Sequence, residues 1–464
     1  MTARGPWGAR AFFMSLHRTL GPSSPRRPAC PGKVCGMACT CVVGLQWGDE
    51  AKGKIVDWLT DQHDLVVRYN GGANAGHTVV RGGKTYKFSL LPTGILRPNV
   101  KAVIGNGLVV NPVRFFEEVN QLRQNGVAIG DNLVVSDHAH VIFPYHLEEE
   151  RLSETDDGQA LGTTGRGIGP CYMDKVGRGS GIRLGELLYP EHLRTRLGTI
   201  VGRKNRILRG LSPEARQFDA KALADEYAQY GSQMRPFIQD TVRLLHKALD
   251  QGKRILFEAA QGSLLDVDHG TFPYVTSSSS STTGVWSGSG VPATNLTRII
   301  GVLKAYSTRV GRGPFPTELN DGPDGLGEQI RKAGREYGTV TGRPRRCGWF
   351  DAVAARYTAR LSGATELAVM LLDVLSVLPE IKICTGYELD GVAVDHFPGD
   401  AFLLDRCRPV YETLPGWNVP IQAARRLTDL PPAARRYIDR LAELLALPVT
   451  IVSVGPDREQ TIIN

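Results

Sequence analysis

Gly48, Gly53 and Lys54 stand at the spacing G-x4-G-K in the run Gly48-Asp-Glu-Ala-Lys-Gly-Lys-Ile55, and Asp49 and Lys52 lie inside it. Small residues between a strand and a helix let backbone N–H groups and the helix dipole face an anion, so the run reads as a phosphate cradle. Ile55 occupies the place where Ser or Thr holds Mg2+ in the common form of this loop. Another residue must then hold the metal, and Asp49 is the candidate. An acid among phosphates is unfavourable unless a cation sits between them. A Gly-rich turn that happens to carry two lysines has the same letters, so the loop alone leaves both readings open. A second constellation follows, Asn70-Gly-Gly-Ala-Asn-Ala-Gly-His77. Its glycines let backbone approach a ligand closely, and a histidine at the tip of a sheet strand can move a proton.

Both constellations need a scaffold that ends strands at one edge. From residue 38 the chain alternates short β-branched apolar runs with longer helical patterns, which predicts a mainly parallel sheet covered by helices. The expected strands are Thr40–Leu45, Asp64–Arg68, Ala102–Ile104, Arg254–Glu258, Arg298–Ala305, Leu367–Leu372 and Val449–Val454. The region Lys221–Gln251 reads as helix, with Met234, Ile238, Thr241, Leu245 and Leu249 as its apolar stripe and Gly252 as C-cap. The run Ser277–Ser281 resembles a linker by composition, but its strand-like neighbours make it a loop within one domain.

An apolar fraction of 42% and a charged fraction of 22% are those of a soluble globular chain. The net charge of +8 is concentrated in residues 1–36, where Arg4, Arg10, Arg18, Arg26, Arg27 and Lys33 stand without an acid. The rest is nearly balanced, which gives no reason to expect a nucleic-acid surface, and no apolar run spans a bilayer. The expected layout is a disordered basic extension over 1–36 and a catalytic domain over 37–464. The extension is either the product of a misplaced start, with Met37 as initiator, or a transit peptide; the first is preferred, and the expected location is cytoplasmic, with organellar import under the second. The cysteine spacings match no common zinc pattern, and reduced thiols are expected.

Several ordered blocks between Val42 and Thr461 resemble the adenylosuccinate synthetase family. They are Gln46-Trp-Gly-Asp-Glu-Ala-Lys-Gly-Lys54, Asn74-Ala-Gly-His-Thr78, Gly162-Thr-Thr-Gly-Arg-Gly-Ile-Gly-Pro170, Ala260-Gln-Gly-Ser-Leu-Leu-Asp-Val-Asp-His-Gly270, Lys304-Ala-Tyr-Ser-Thr-Arg-Val-Gly311, Gly342-Arg-Pro-Arg-Arg346 and Gly455-Pro-Asp-Arg458. The resemblance implies a single large α/β domain, P-loop-NTPase-like, with a mainly parallel central sheet and helical and loop excursions. It implies a GTP-dependent ligase that phosphorylates the 6-oxygen of IMP and displaces that phosphate with the amine of L-aspartate. Mg2+ is the implied cofactor and a homodimer the implied assembly.

By the same resemblance Asp49 is the base and a metal ligand, with the Gly76 carbonyl as second ligand. His77 is the general acid, Lys52 neutralises the transferring phosphoryl, and Gln261 completes the catalytic set. IMP falls to Asn74, Ala75, Thr164, Gln261, Thr276 and Arg343, with Arg178 reaching across a dimer interface. Aspartate falls to Thr339, Thr341, Arg343 and Arg345, since guanidinium forks match carboxylates. GTP falls to Gly48, Lys52, Gly53, Lys54, Gly76, Thr78 and Arg345, with Asp373, Ser453 and Gly455 around the base.

The chain departs from the family pattern in four places. Ala51 replaces a glycine, which is tolerable only at negative φ. Leu371 replaces a lysine two residues before Asp373, Pro344 replaces an arginine, and Ser279–Thr283 differs from the usual Asn-Thr-Thr-Ala-Gly. None removes a chemical participant. Two other readings compete: a GTP- or IMP-binding regulator without turnover, and a P-loop ligase that phosphorylates a carboxylate.

Overall fold

The computed structural model describes residues 39–154, 161–320, 322, 325–338 and 342–464. The expectations for residues 1–36, Thr339 and Thr341 therefore lie outside the described residues. A ten-stranded sheet organises the described chain. From one edge to the other it runs through Thr461–Ile463, Val449–Ser453, Glu366–Met370, Leu296–Lys304, Cys39–Gly44, Ile255–Glu258, Leu65–Arg68, Lys101–Ile104, Leu133–Ser136 and Ile238–Gln239. Every pairing is parallel except that of Thr461–Ile463. The central strands are Val-, Leu- and Ile-rich and buried along their length, as strands covered on both faces must be. The expected strands fall within two residues of those observed.

The expected single helix over 221–251 is instead two, Ala220–Met234 and Thr241–Asp250, separated by the short strand Ile238–Gln239. Pro236 supplies no N–H and stops the first helix, and the Asp240 side chain accepts from Arg243 N to start the second. The apolar stripe continued across the break because Met234 and Leu245 both face the interior.

The serine run is a packed loop. Ser280 Oγ donates to Gly262 O at 2.8 Å, and both N and Oγ of Ser281 donate to Asp266 Oδ2 at 2.9 Å. Six described cysteines are buried free thiols. Among the described residues no helix is long and apolar enough to cross a membrane.

Parallel pairing puts the C-termini of all these strands but Thr461–Ile463 on one edge. From that edge leave the loops carrying Gly48–Lys52, Asn70–His77, Gln261–Thr276, Asp373 and Gly455, and Arg345 reaches it from the segment that follows helix Leu326–Gly334. This is the edge at which open α/β sheets bind ligands.

Candidate active site

Strand Cys39–Gly44 gives way to a loop in which Gly48, Asp49 and Ala51 have φ of 84°, 60° and 63° before helix α1, Lys52–Thr60. The expectation of negative φ at Ala51 is therefore corrected: the alanine is left-handed at the N-cap. That conformation costs an L-residue about 1–2 kcal/mol. Part is offset by packing, since Ala51 lies against the apolar group of Val42, Ile55 and Met370, which Leu371 also joins.

The inside of the loop is held by Glu50, a residue that sequence reasoning missed. Its fully buried carboxylate accepts from Gln46 N at 3.0 Å, Gly48 N at 2.9 Å and Lys52 Nζ at 2.5 Å. Gly262 is required here, because a Cβ would sit 2.5 Å from Glu50 Oε1. Lys52 is thus buried and paired with Glu50.

Lys54 departs from the common phosphate-loop role. Its Nζ donates to Ser453 Oγ at 2.7 Å, Gly455 O at 2.8 Å and Gln460 O at 3.0 Å, so its donors serve the wall of the expected base pocket. Burial lowers its pKa to about 8, with Asp373 and Asp457 opposing. Arg458 adds a second tie from this wall to α1, donating to Asp57 Oδ2 at 3.0 Å. Asp373 is raised by burial, opposed by Lys54 and by a hydrogen bond from Gln422. Lys54, Asp373, Ser453 and Gly455 are therefore gathered in one place.

His77 packs behind the loop: a Cβ on Gly53 would lie 3.1 Å from His77 Cβ. Its Nδ1 is 2.6 Å from Glu258 Oε1, and the other Glu258 oxygen accepts from Thr93 N at 2.9 Å and Thr93 Oγ1 at 3.2 Å. Glu258 lies beside Arg68 in register on adjacent strands, and both are fully buried. Burial lowers His77, and the Glu258 carboxylate pulls the other way. Burial alone would raise Glu258, but His77, Arg68 and the Thr93 N–H hold it below the usual carboxylate range. An ionised Glu258 therefore accepts a hydrogen bond from Nδ1–H and leaves Nε2 for a ligand.

Arg68 also shapes the Gly-rich loop, with Nη2 3.5 Å from Asn70 O and 3.4 Å from Gly72 O. Within that loop Asn70 donates to Ser278 Oγ at 3.2 Å and to Gln261 Oε1 at 3.5 Å. A Cβ on Gly71 would lie 3.1 Å from Gln261 Oε1 and 3.4 Å from Asn74 Oδ1, which places those two amides side by side. Gln261 has φ 58°, and its buried Nε2 has no hydrogen-bond partner. A strained residue with an orphaned donor is the sign of a ligand site. Ala75 is buried in this loop, Gly76 and Thr276 are half-buried, and Thr78 is exposed.

Arg345 reaches the phosphate loop from the other side, its Nε 2.7 Å from Asp49 Oδ2. This approach is charge to charge, since the N–H is not aligned for a hydrogen bond and remains unsatisfied. Arg343 and Thr164 are exposed and line a separate cleft of about 650 Å3 with Arg114, Glu150 and Glu154, which includes neither Asp49 nor His77. Arg178 is exposed at the C-terminus of helix Ile168–Gly177 with φ 62°.

Among the described residues no cluster of three or more His, Cys, Asp or Glu side chains is built to hold a metal. A single loop carboxylate, Asp49, with carbonyl and phosphate oxygens is the donor set that Mg2+ favours, so the residues fit that ion.

The adenylosuccinate synthetase family model matches residues 41–462. The adenylosuccinate synthetase of Heliobacterium modesticaldum is 52% identical over 427 residues, covering 92% of this chain and 99% of that protein. That of Streptococcus gordonii is 50% identical over 431 residues, covering 92% and 98%. The fully ligated adenylosuccinate synthetase from Plasmodium falciparum superposes with a TM-score of 0.86 at 36% identity, covering 92% of this chain and 99% of its own. A cyanophage S-2L succinoaminodeoxyadenylate synthetase, bound to dGMP and dATP, shares the fold at a TM-score of 0.57 and 21% identity. On sequence, fold and site geometry together, this chain belongs to the adenylosuccinate synthetase family.

Proposed function

We propose that the enzyme joins IMP and L-aspartate into adenylosuccinate through 6-phosphoryl-IMP, with GTP as phosphoryl donor and Mg2+ as cofactor. The observation that carries the reading is the His77–Glu258 pair, seated against Gly53 at the start of the phosphate-loop helix. It puts a proton donor for a purine oxygen next to a phosphate cradle.

In the first step Asp49 takes the N1 proton of IMP, and the electron pair moves to O6. O6 attacks the γ-phosphorus, the bond to the β,γ-bridging oxygen breaks, and GDP departs. Protonated His77 donates its Nε2–H to the developing anion at O6, and Glu258 stabilises that imidazolium from the far side. In the second step the aspartate amine attacks C6, phosphate leaves with the C6–O6 electron pair, and the amine loses a proton. Bound Mg2+, held by Asp49 and the Gly76 carbonyl, would spread charge on the phosphoryl group.

Gln261 Nε2 and Asn74 are the amides for IMP, together with Ala75, Thr164, Thr276 and Arg343 in this proposal. Arg345, Arg343, Thr339 and Thr341 receive aspartate. Asp373 accepts from the guanine N1–H and 2-amino group, with Ser453 and Gly455 beside it, and Lys54 holds this wall to α1. Gly48, Lys52, Gly53, Gly76, Thr78 and Arg345 serve the phosphates. A homodimer is part of the proposal, and the exposed Met173 and Val176 on the helix that ends at Arg178 support it. The proposal also places catalysis in residues 37–464, with 1–36 as an extension, and action in the cytoplasm.

Purified protein with IMP, aspartate and Mg2+ should yield adenylosuccinate with GTP and far less with ATP, read by chromatography. No product with either nucleotide, from folded protein that still binds IMP, would favour the regulator reading.

A further inference from the structure

We propose that Glu336 is a positioning residue of this reaction, setting the Arg345 guanidinium against Asp49 and acting on aspartate capture through it. The inference rests on the functional reading above, which assigns Arg345 to aspartate.

Glu336 is fully buried, so it does not meet a ligand itself. Its two oxygens are nonetheless fully used. Oε1 accepts from Lys304 Nζ at 2.6 Å and from Tyr306 Oη at 2.5 Å, and Oε2 accepts from Arg345 Nη1 at 2.5 Å. Lys304 is the last residue of the central strand Leu296–Lys304, and Tyr306 lies two residues beyond it. Glu336 thus refers Arg345 to the rigid sheet. The backbone repeats the tie, because Arg345 N donates to Glu336 O at 2.9 Å and Arg331 Nε donates to Arg345 O at 2.8 Å.

Asp49 is referred to the same strand end by its own loop. Gln46 Nε2 donates to Tyr306 O at 3.0 Å, and Lys304 N donates to Gln46 Oε1 at 3.0 Å. Both partners of the Arg345–Asp49 pair are therefore built on residues 304–306. Lys304, Glu336, Arg345 and Asp49 alternate in sign along one chain of contacts. Removing the Glu336 charge would leave two buried cations with a single acid, an arrangement that a low-dielectric interior penalises. Burial would raise Glu336, yet Lys304 and Arg345 hold it below the ordinary range, so the charge is present at neutral pH.

The geometry at the far end shows what the arrangement is for. Arg345 Nε is buried and lacks a hydrogen bond although Asp49 Oδ2 is 2.7 Å away. One edge of the guanidinium is spent on Glu336, and the other is kept as an unsatisfied donor beside the phosphate loop. A pair built only for stability would align that N–H. A carboxylate substrate arriving there satisfies Nε and relieves Asp49 of its counter-charge.

The test is Glu336→Gln, which keeps size and one acceptor but loses the charge. The expected result is an aspartate KM raised about tenfold with the IMP KM little changed, alongside a lowered thermal midpoint from the uncompensated buried cations. In an Arg345→Lys background the same substitution should add less than about twofold, because the residue through which Glu336 acts is already altered. Independent, additive penalties would overturn the proposal, as would an unchanged aspartate KM. If Glu336→Gln fails to fold, Glu336→Asp decides, since it keeps the charge but shortens the reach. Aspartate KM unchanged in that variant refutes the inference. Wild-type turnover measured alongside separates this outcome from failure of the functional reading. A crystal structure of the folded variant needs no turnover: Arg345 displaced from Asp49 supports the proposal, and Arg345 in place overturns it.

Discussion

Replacing Glu258 by Gln tests the proton-donor role of His77 without touching any group that meets substrate. The glutamine carbonyl can still accept from Thr93 N and Oγ1, which now lie 2.9 and 3.2 Å from Glu258 Oε2, so the local fold has a partner for each donor. What is lost is the charge facing His77 Nδ1 at 2.6 Å in a buried setting. A hydrogen bond between charged groups contributes about 3 kcal/mol at the upper end of the usual range. That is preferential stabilisation of the imidazolium, so its loss lowers the His77 pKa further. Burial already lowers His77, and Glu258 is the group that opposes it. The sign follows: His77 donates only when protonated, so activity is lost as pH rises through its pKa, and the variant loses it at lower pH. At neutral pH kcat should fall about 100-fold. The basic limb of the kcat profile should move toward acid. The assay is adenylosuccinate formation at saturating substrates over a pH series. A kcat within about threefold of wild type with an unmoved limb would refute the reasoning, and His77 would then be a packing residue.

Asp49→Asn keeps shape and tolerates the φ of 60°, so nucleotide should still bind while turnover drops by about 1,000-fold or more; retained activity would remove Asp49 as the base. Ala51→Gly should relieve the strain at φ 63° and stabilise the protein by about 1 kcal/mol in urea unfolding, and destabilisation would show that the Ala51 methyl contact dominates. Burial lowers His140 to about 4 from an ordinary 6.5. Its contribution is full above the unfolded pKa and is lost as pH falls toward the folded one, so stability should drop by about 2 kcal/mol between pH 7 and 5 from this group alone. His140→Asn should flatten that drop, and an unchanged slope would assign it elsewhere. Arg178→Leu should raise the IMP KM at least about tenfold with little effect on the thermal midpoint, since the side chain is exposed; an unchanged KM would argue against a shared site.

The parts legible in the sequence were those written in neighbouring residues. A strand, a run of small residues and a helix announced the phosphate loop, and alternating β-branched runs announced a parallel sheet. Parallel order then required the loops of Asp49, His77, Gln261 and Asp373 to share one edge. The helix break at Pro236 was also written locally, and only the continuing apolar stripe concealed it.

Tertiary structure decided the rest, because the deciding contacts join residues far apart in the chain. His77 and Glu258 are separated by 181 positions, and nothing near either names the other. Glu50, Glu258 and Glu336 carry no signature as single letters, since a glutamate is exposed by default and only folding shows three of them fully buried with cations or imidazole as partners. Lys54 looked like a phosphate lysine, but its direction was set by the strand Val449–Ser453, 399 residues away at Ser453. The sign of φ at Ala51 was likewise not written in its side chain. Local periodicity chooses elements and edges, whereas the partner of a buried charge is chosen by whichever distant strand end comes to lie within about 3 Å of it.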